Sequence, residues 1–125
     1  MGAASDARQA LGRAAESAAR ELLAAQGLRY LAANVRTRAG ELDLVMRDGP
    51  LLVVIEVRCR SSALRYGGAA ASVDWRKQRR LLAATGLYLR AHRGAAALRV
   101  RFDVVAVTAA GGALRCEWLR DAFRA

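Results

Sequence analysis

Along the first quarter of the chain, hydrophobic residues recur at helical spacing. Leu11, Ala15, Ala18, Leu22 and Ala25 follow 4-3-4-3 intervals, which line one face of a helix. Ser5 or Asp6 supplies an N-cap oxygen and Gly27 a C-terminal stop, so the pattern predicts a helix over residues 5–26. Gly12 inside it costs roughly 1 kcal/mol against alanine, which points to a frayed start or a close backbone approach. The period then shortens. Residues 28–38 read as a strand, and residues 40–60, GELDLVMRDGPLLVVIEVRCR, read as two more joined at Asp48-Gly49-Pro50. Gly accepts a positive φ and Pro cannot donate to a central ladder, so the break belongs there. Residues 61–71 are small and contain Gly, as a loop would. Helical spacing returns over residues 72–93, with Ser72 or Asp74 as cap and Gly94 as stop. Trp75, Leu81, Leu82, Tyr88 and Leu89 form its apolar side. Residues 98–108 predict a strand, and Val104–Val107, apolar on both faces, place it inside the sheet. Gly111-Gly112 turns the chain into a last edge strand over residues 113–119.

Helix, three strands, helix, strand is the order of an α/β sandwich around a mixed sheet. The strand–helix–strand unit ending at residues 98–108 should cross over right-handed. A chain of 125 residues is one domain, 1–125, able to bury a core spanning about residues 5–108.

Charge adds a partner class. The net charge is +10, and arginine supplies 20 of the 21 basic residues, which favours a polyanion such as nucleic acid. No apolar run approaches bilayer length. No segment joins this charge to bulky apolar anchors, so no membrane partner is expected. The first residues lack a continuous apolar stretch, and Asp6, Glu16 and Glu21 do not suit a transit peptide; the expected location is the cytoplasm. Cys59, Cys116 and His92 are too few for a zinc site. Cys59 falls on the apolar face of its strand and reads as a small buried hydrophobe, and His92 as a partner for a helix C-terminus.

The acidic residues are fewer, and their placement matters more. Side chains alternate along a strand, so Glu41, Asp43, Val45 and Arg47 share one face, and Val54, Glu56, Arg58 and Arg60 another. A two-residue loop between the strands sets Glu41 opposite Glu56. A four-residue loop sets Asp43 opposite Glu56 and Arg47 opposite Leu52. Both gather Asp43, Glu56 and Arg58 on one face, whereas a three-residue loop separates them. Facing carboxylates destabilise a strand pair unless compensated. Mg²⁺ or Mn²⁺, held by carboxylates with water and phosphate, would compensate them. So would a solvated face on which Arg36, Arg38, Arg47 and Arg58 neutralise the acids. Spacing alone leaves both readings open.

Asp43, followed after a hairpin by Glu56-Val57-Arg58, resembles the D…(D/E)xK signature of restriction-endonuclease-like nucleases. The wider series is Gly12, Glu16, Asn34-Val35-Arg36, Gly40-Glu41-Leu42-Asp43-Leu44, Ile55-Glu56-Val57-Arg58, Tyr66-Gly67, Val73, Lys77 and Arg101-Phe102-Asp103-Val104-Val105. It resembles the YraN family of predicted nucleases, which are related in fold to Holliday-junction resolvases. The similarity runs in order from about residue 11 to 107. It implies a restriction-endonuclease-like αβββαβ core, a mixed sheet flanked by two long helices. It also implies metal-dependent hydrolysis of phosphodiester bonds in nucleic acid, DNA first and branched or junction DNA included. By the same resemblance Asp43 and Glu56 hold Mg²⁺ or Mn²⁺, Glu16 and Glu41 assist, the Val57 carbonyl is a further ligand, and a homodimer is expected.

One position departs. The family motif ends in Lys, and this chain has Arg58, which stays protonated and cannot serve as a general base, though it can bind phosphate bidentately. A second function therefore stands beside the nuclease: a non-catalytic nucleic-acid-binding module on the same fold.

Several residues keep two readings. Glu16, between Arg13 and Arg20 at i−3 and i+4, is an accessory acid by resemblance. By spacing it is a surface ion pair worth about 0.3–0.5 kcal/mol. Arg36 and Arg38 lead into the hairpin, and Arg36 either contacts phosphate or neutralises the acids. Arg76, Lys77, Arg79 and Arg80 open the second helix against its macrodipole, as phosphate-docking residues or as a solvated face partly paired with Asp74. Lys77 is also within conceivable reach of the acids. Asp103 pairs with an arginine or supports the site. Tyr66 stacks on a base or packs on the sheet.

Overall fold

A computed structural model describes residues 3–60 and 73–124. The expectations at residues 61–71, including Tyr66 and Gly67, and at the Ser72 cap lie outside the described residues. The elements are α1 (Ala3–Ala25), β1 (Arg29–Thr37), β2 (Gly40–Asp48), β3 (Leu51–Arg60), α2 (Trp75–Ala91), a 3-10 turn (Arg93–Ala95), β4 (Arg99–Ala110) and β5 (Ala113–Phe123). The five strands form one sheet in the order β1-β2-β3-β4-β5. Its pairs are antiparallel except β3 with β4, which is parallel and bridged by α2. The expected mixed sheet with two helices is present.

The ends of the elements follow from local chemistry. Gly27 takes φ +98°, its N–H bonds to Ala24 O at 3.0 Å, and Leu28 N–H bonds to Leu23 O at 3.0 Å. That double bond pattern is a Schellman close, and its apolar contact is present because Leu28 and Leu23 are buried in one cluster. Asp74 caps α2 by accepting the Lys77 N–H at 2.9 Å, and His92 ends it. The His92 Nδ1 lies 2.9 Å from Tyr88 O and its ring stacks on Tyr88, as expected of a helix-terminus partner.

Each face of the sheet carries its own core. On one side Leu42, Val45, Leu52, Val54, Phe102, Val104 and Ala106 pack against Leu81, Ala84 and Tyr88 of α2. On the other Leu44, Met46, Val53, Ile55, Val105 and Val107 pack against Ala15, Ala19 and Leu23 of α1. Val104–Val107 are buried on both faces, as their unbroken apolar run requires.

Four expectations need correction. The buried stripe of α1 is Ala15, Ala19 and Leu23, rotated from the expected one; Ala18 and Leu22 lie on its flank, and Ala25 is exposed. In so alanine-rich a helix, spacing alone cannot choose between neighbouring stripes. Trp75 is 63% exposed rather than core, because it sits on the first turn of α2, before the buried positions begin at Leu81. Cys59 is exposed and free, since it lies near the far end of β3, where the inward positions have run past α1 and β2. Finally, β5 continues to Phe123 rather than Leu119. Pairing shifts between Phe102 and Val104, and Asp121, at φ +52°, turns its N–H onto the Asp103 carboxylate at 2.9 Å.

Candidate functional site

Alternation along β1 and β2 breaks at matching positions. Leu42 and Leu44, two residues apart, belong to opposite cores, although period two should put them on one face. Ala33 and Val35 do the same, and Asn34 between them takes φ +52°. The register pairs Ala33 with Leu44 and Val35 with Leu42, which sets Asn34 against Asp43. Asparagine tolerates this backbone region better than most residues.

The β2–β3 ladder stops one residue short of Asp43. Its register runs from Asp48↔Leu51 through Arg47↔Leu52 to Leu44↔Ile55. That is the pairing of the four-residue-loop alternative, and one further step sets Asp43 against Glu56. Past Ile55 the Val57 N–H no longer meets β2 backbone. The Asp43 Oδ2 accepts it instead, at 2.9 Å.

Glu56 is buried, with 4% of its surface exposed. Its Oε2 lies 3.3 Å from Lys77 Nζ and 3.5 Å from Arg58 Nη2. Its Oε1 is buried without a hydrogen-bond partner among the described residues. Lys77 thus does two things: its N–H closes the Asp74 cap, and its ammonium reaches the buried carboxylate.

Electrostatics mark the same residues. Burial first, then the neighbouring Glu56 charge, push the Asp43 carboxyl up to about 7, against the opposing pull of the Val57 N–H and the Lys77 ammonium. Glu16 is also raised, by burial and then by the charges of Asp43 and Glu41, while a side-chain hydrogen bond from Asn34 lowers it. Glu16 therefore feels the charge of Asp43 and Glu41. It forms no salt bridge with Arg13 or Arg20 among the described residues, and Arg20 lies over the Tyr30 ring at 3.5 Å.

The remaining candidates sit further out. Glu41 is exposed and pairs with Arg36 across β1 and β2 at 3.6 Å, a contact weakened by solvent. Arg38 is exposed in the β1–β2 turn, which Thr37 Oγ1 organises by donating to Gly40 O at 2.7 Å. Arg76 and Arg79 are exposed, each about one cation–π distance, 5.9 Å, from the Trp75 ring. Arg80 is exposed beside Gly40. Asp103 takes its structural alternative: it is fully buried and receives Arg101 Nε and Nη2, Trp118 Nε1 and the Asp121 N–H, each at 2.9 Å.

The oxygen-only donors Asp43 and Glu56 suit a hard divalent cation, and the orphaned Glu56 Oε1 and the raised Asp43 are what such an ion would relieve. Among the described residues no three His, Cys, Asp or Glu side chains come together to enclose one. An ion here would complete its shell with water and phosphate, as Mg²⁺ commonly does. Sequence reasoning missed Asn34 as the partner of Glu16, and it placed Lys77 within reach of the acids without assigning it to Glu56. A signal for that assignment existed, since Lys77 is the single lysine beside 20 arginines.

No helix among the described residues is long and apolar enough to cross a membrane. The model of uncharacterised protein family UPF0102 matches residues 15–107, which include every acidic residue named above as part of the site. A UPF0102 protein of Xanthomonas euvesicatoria pv. vesicatoria is 57% identical over 119 residues, covering 95% of each chain. A UPF0102 protein of Burkholderia vietnamiensis is 55% identical over 119 residues, covering 94% of this chain and 78% of that one.

Proposed function

We propose that this chain, which belongs to the uncharacterised protein family UPF0102, is a metal-dependent nuclease on a restriction-endonuclease-like core, cleaving phosphodiester bonds in DNA. The observation that carries this reading is the carboxylate pair at the end of the β2–β3 ladder, Glu56 buried and Asp43 half-buried beside it. Asp43 is fixed by the Val57 N–H, and Glu56 is flanked by Lys77 and Arg58. A protein that only bound nucleic acid would gain nothing from burying acids where phosphate is to dock.

Asp43 and Glu56 would hold Mg²⁺ or Mn²⁺, with Glu16, whose carboxyl feels the Asp43 charge, as the assisting acid. When bound, the ion lowers the pKa of a ligated water and polarises the scissile phosphate. The chain's own residues do the rest. The Val57 N–H holds Asp43 in place. Arg58 offers a guanidinium that can fork onto phosphate oxygens but cannot take up a proton. Lys77 brings a compact ammonium to Glu56, and an ammonium, unlike a guanidinium, can change protonation when desolvated. In a chain that otherwise uses arginine for every basic residue, keeping lysine at the carboxylate pair supports assigning it the motif-lysine role. Arg36, Arg38, Arg76, Arg79 and Arg80 supply basic surface for the phosphate backbone.

The test is a cleavage assay over duplex, branched and single-stranded DNA and RNA, with Mg²⁺, Mn²⁺ and chelator. Metal-dependent cleavage lost in Asp43→Asn supports the reading; no cleavage of any substrate with either metal overturns it. One observation favours the non-catalytic alternative: Lys77 and Arg58 already neutralise Glu56 without a metal. On that alternative, binding persists and weakens steeply with salt. Replacing Arg76, Arg79 and Arg80 with Ala flattens the salt slope, and no cleavage appears under any condition.

A further inference from the structure

Exposed aromatic rings on this molecule are treated in two ways. Arg20 lies over Tyr30 at 3.5 Å from the ring centroid, and Arg120 lies over the partly buried Trp118 at 3.9 Å, so each ring has a guanidinium on one face. Trp75 differs. It is the most exposed large hydrophobic residue described, at 63%, and its nearest cations, Arg76 and Arg79, both stand 5.9 Å from the centroid. That is the outer limit of a cation–π contact, so the ring has charge beside it while most of the residue is open to solvent.

Among the described residues, nothing in the packing of α2 requires tryptophan there. The buried side of α2 is Leu81, Ala84, Thr85 and Tyr88, and Trp75 precedes it by more than a turn. Leaving so large an apolar surface in water costs solubility and gains no packing. The position is also constrained. Asp74 fixes the start of the helix, and Lys77, two residues along, is anchored to Glu56. Residues two apart point to opposite sides of a helix, so Trp75 faces outward while Lys77 faces the acids. The two ends of this first turn lie within about one helix diameter, 10–12 Å.

We infer that Trp75, with Arg76 and Arg79, is a stacking platform for an unpaired base of single-stranded nucleic acid, next to the phosphate that docks at Lys77 and the Asp43–Glu56 pair. This rests on the nucleic-acid reading of that site and adds a substrate class to it. An open indole face stacks on any base, while flanking guanidiniums take the phosphates on either side. A duplex keeps its base faces stacked on one another, so the platform selects single strands, frayed ends or unpaired branches.

Binding is measured in chelator, so that cleavage plays no part. The probes are a labelled oligothymidylate, the same strand annealed to oligoadenylate, and phosphatidylglycerol vesicles. Trp75→Ala should weaken single-strand binding on the order of ten-fold and leave duplex binding nearly unchanged, and Trp75→Phe should keep most of the affinity. In a Trp118→Phe background, oligothymidylate should quench the fluorescence of Trp75. Since Trp118 Nε1 bonds to Asp103, the affinity measurements in the otherwise unaltered chain stand on their own if that background folds poorly. Single-strand affinity unchanged by Trp75→Ala overturns the platform, as does an equal loss for duplex, or binding to vesicles but not to oligothymidylate. Cleavage lost or absent while these differences persist would sink the nuclease and leave the platform standing.

Discussion

Asp43 and Val57 are fourteen positions apart, and the carboxylate of one accepts the backbone N–H of the other at 2.9 Å. The bond stands where the next rung of the β2–β3 ladder would have been. A buried N–H left without a partner costs about 1–3 kcal/mol, so the side chain is held by a need of the backbone as well as by its chemistry. The consequence is a half-buried carboxylate held beside Glu56.

That burial should be visible in stability against pH. The folded Asp43 carboxyl titrates at about 7, above its ordinary value of 3.8, so the folded state keeps a proton the unfolded chain has released. Its stabilising contribution is fully present below about pH 4 and is lost as pH rises to about 7. Glu16 shifts in the same direction. In chelator, denaturant unfolding should show the protein losing stability between about pH 4.5 and 7.5, by on the order of 2–4 kcal/mol from this residue. Asp43→Asn, which can still accept the Val57 N–H, should flatten most of that slope and be more stable than wild type at about pH 7.5. A variant as steep as wild type would mean that the slope arises from groups other than Asp43.

Divalent metal should stabilise the fold as acid does, by competing with the proton for the same carboxylates. If Asp43 and Glu56 are ligands, Mg²⁺ or Mn²⁺ raises the melting temperature at about pH 7.5 by mass action on the folded state. The rise should shrink as pH falls and Asp43 becomes protonated. Asp43→Asn and Glu56→Gln should each abolish it. A rise that survives both substitutions places the ion elsewhere.

Lys77 and Arg58 share one oxygen of Glu56, and their roles separate in a pair of variants. Lys77→Met leaves a buried carboxylate with less compensation and should cost about 1–3 kcal/mol, largely recovered by adding Glu56→Gln. Lys77→Arg should keep the fold and lose cleavage, if the site needs an ammonium and not simply positive charge. Arg58→Lys should retain or increase cleavage, and Arg58→Ala should lose most of it. Cleavage by Arg58→Ala at the wild-type rate, with the melting temperature unchanged, would remove Arg58 from the mechanism.

Asp103 provides a contrast in which stability moves and chemistry does not. Four donors converge on it, and the Arg101 fork is the largest reason that guanidinium is raised above its usual value. Asp103→Ala leaves the Trp118 and Asp121 N–H groups without their acceptor and Arg101 with only Asp48, and should cost about 3–5 kcal/mol. Cleavage per folded molecule should stay the same. Loss of cleavage in fully folded Asp103→Ala would tie β4 to the site.

The chain by itself determined the element order, because periods of 3.6 and 2 are properties of local sequence. The Gly27 stop and the doubly buried run Val104–Val107 were legible for the same reason, and Asp74 was one of two caps the chain offered, with Ser72. It also brought Asp43 and Glu56 within reach of each other, since two of three hairpin loops share that outcome. Tertiary structure alone decided the rest. Which loop formed depended on how β2 met β3, and which stripe of α1 was buried depended on how an alanine-rich helix settled on the sheet. The exposure of Trp75 and Cys59 depended on where the layers end. The break in alternation at Asn34 and Asp43 requires two strands to switch faces together, which no single-strand period encodes. The contact between Lys77 and Glu56 joins residues 21 positions apart through a crossover helix. Its geometry follows from how α2 lies on the sheet, and that is set by the whole buried face of Leu81, Ala84 and Tyr88 rather than by either charged residue.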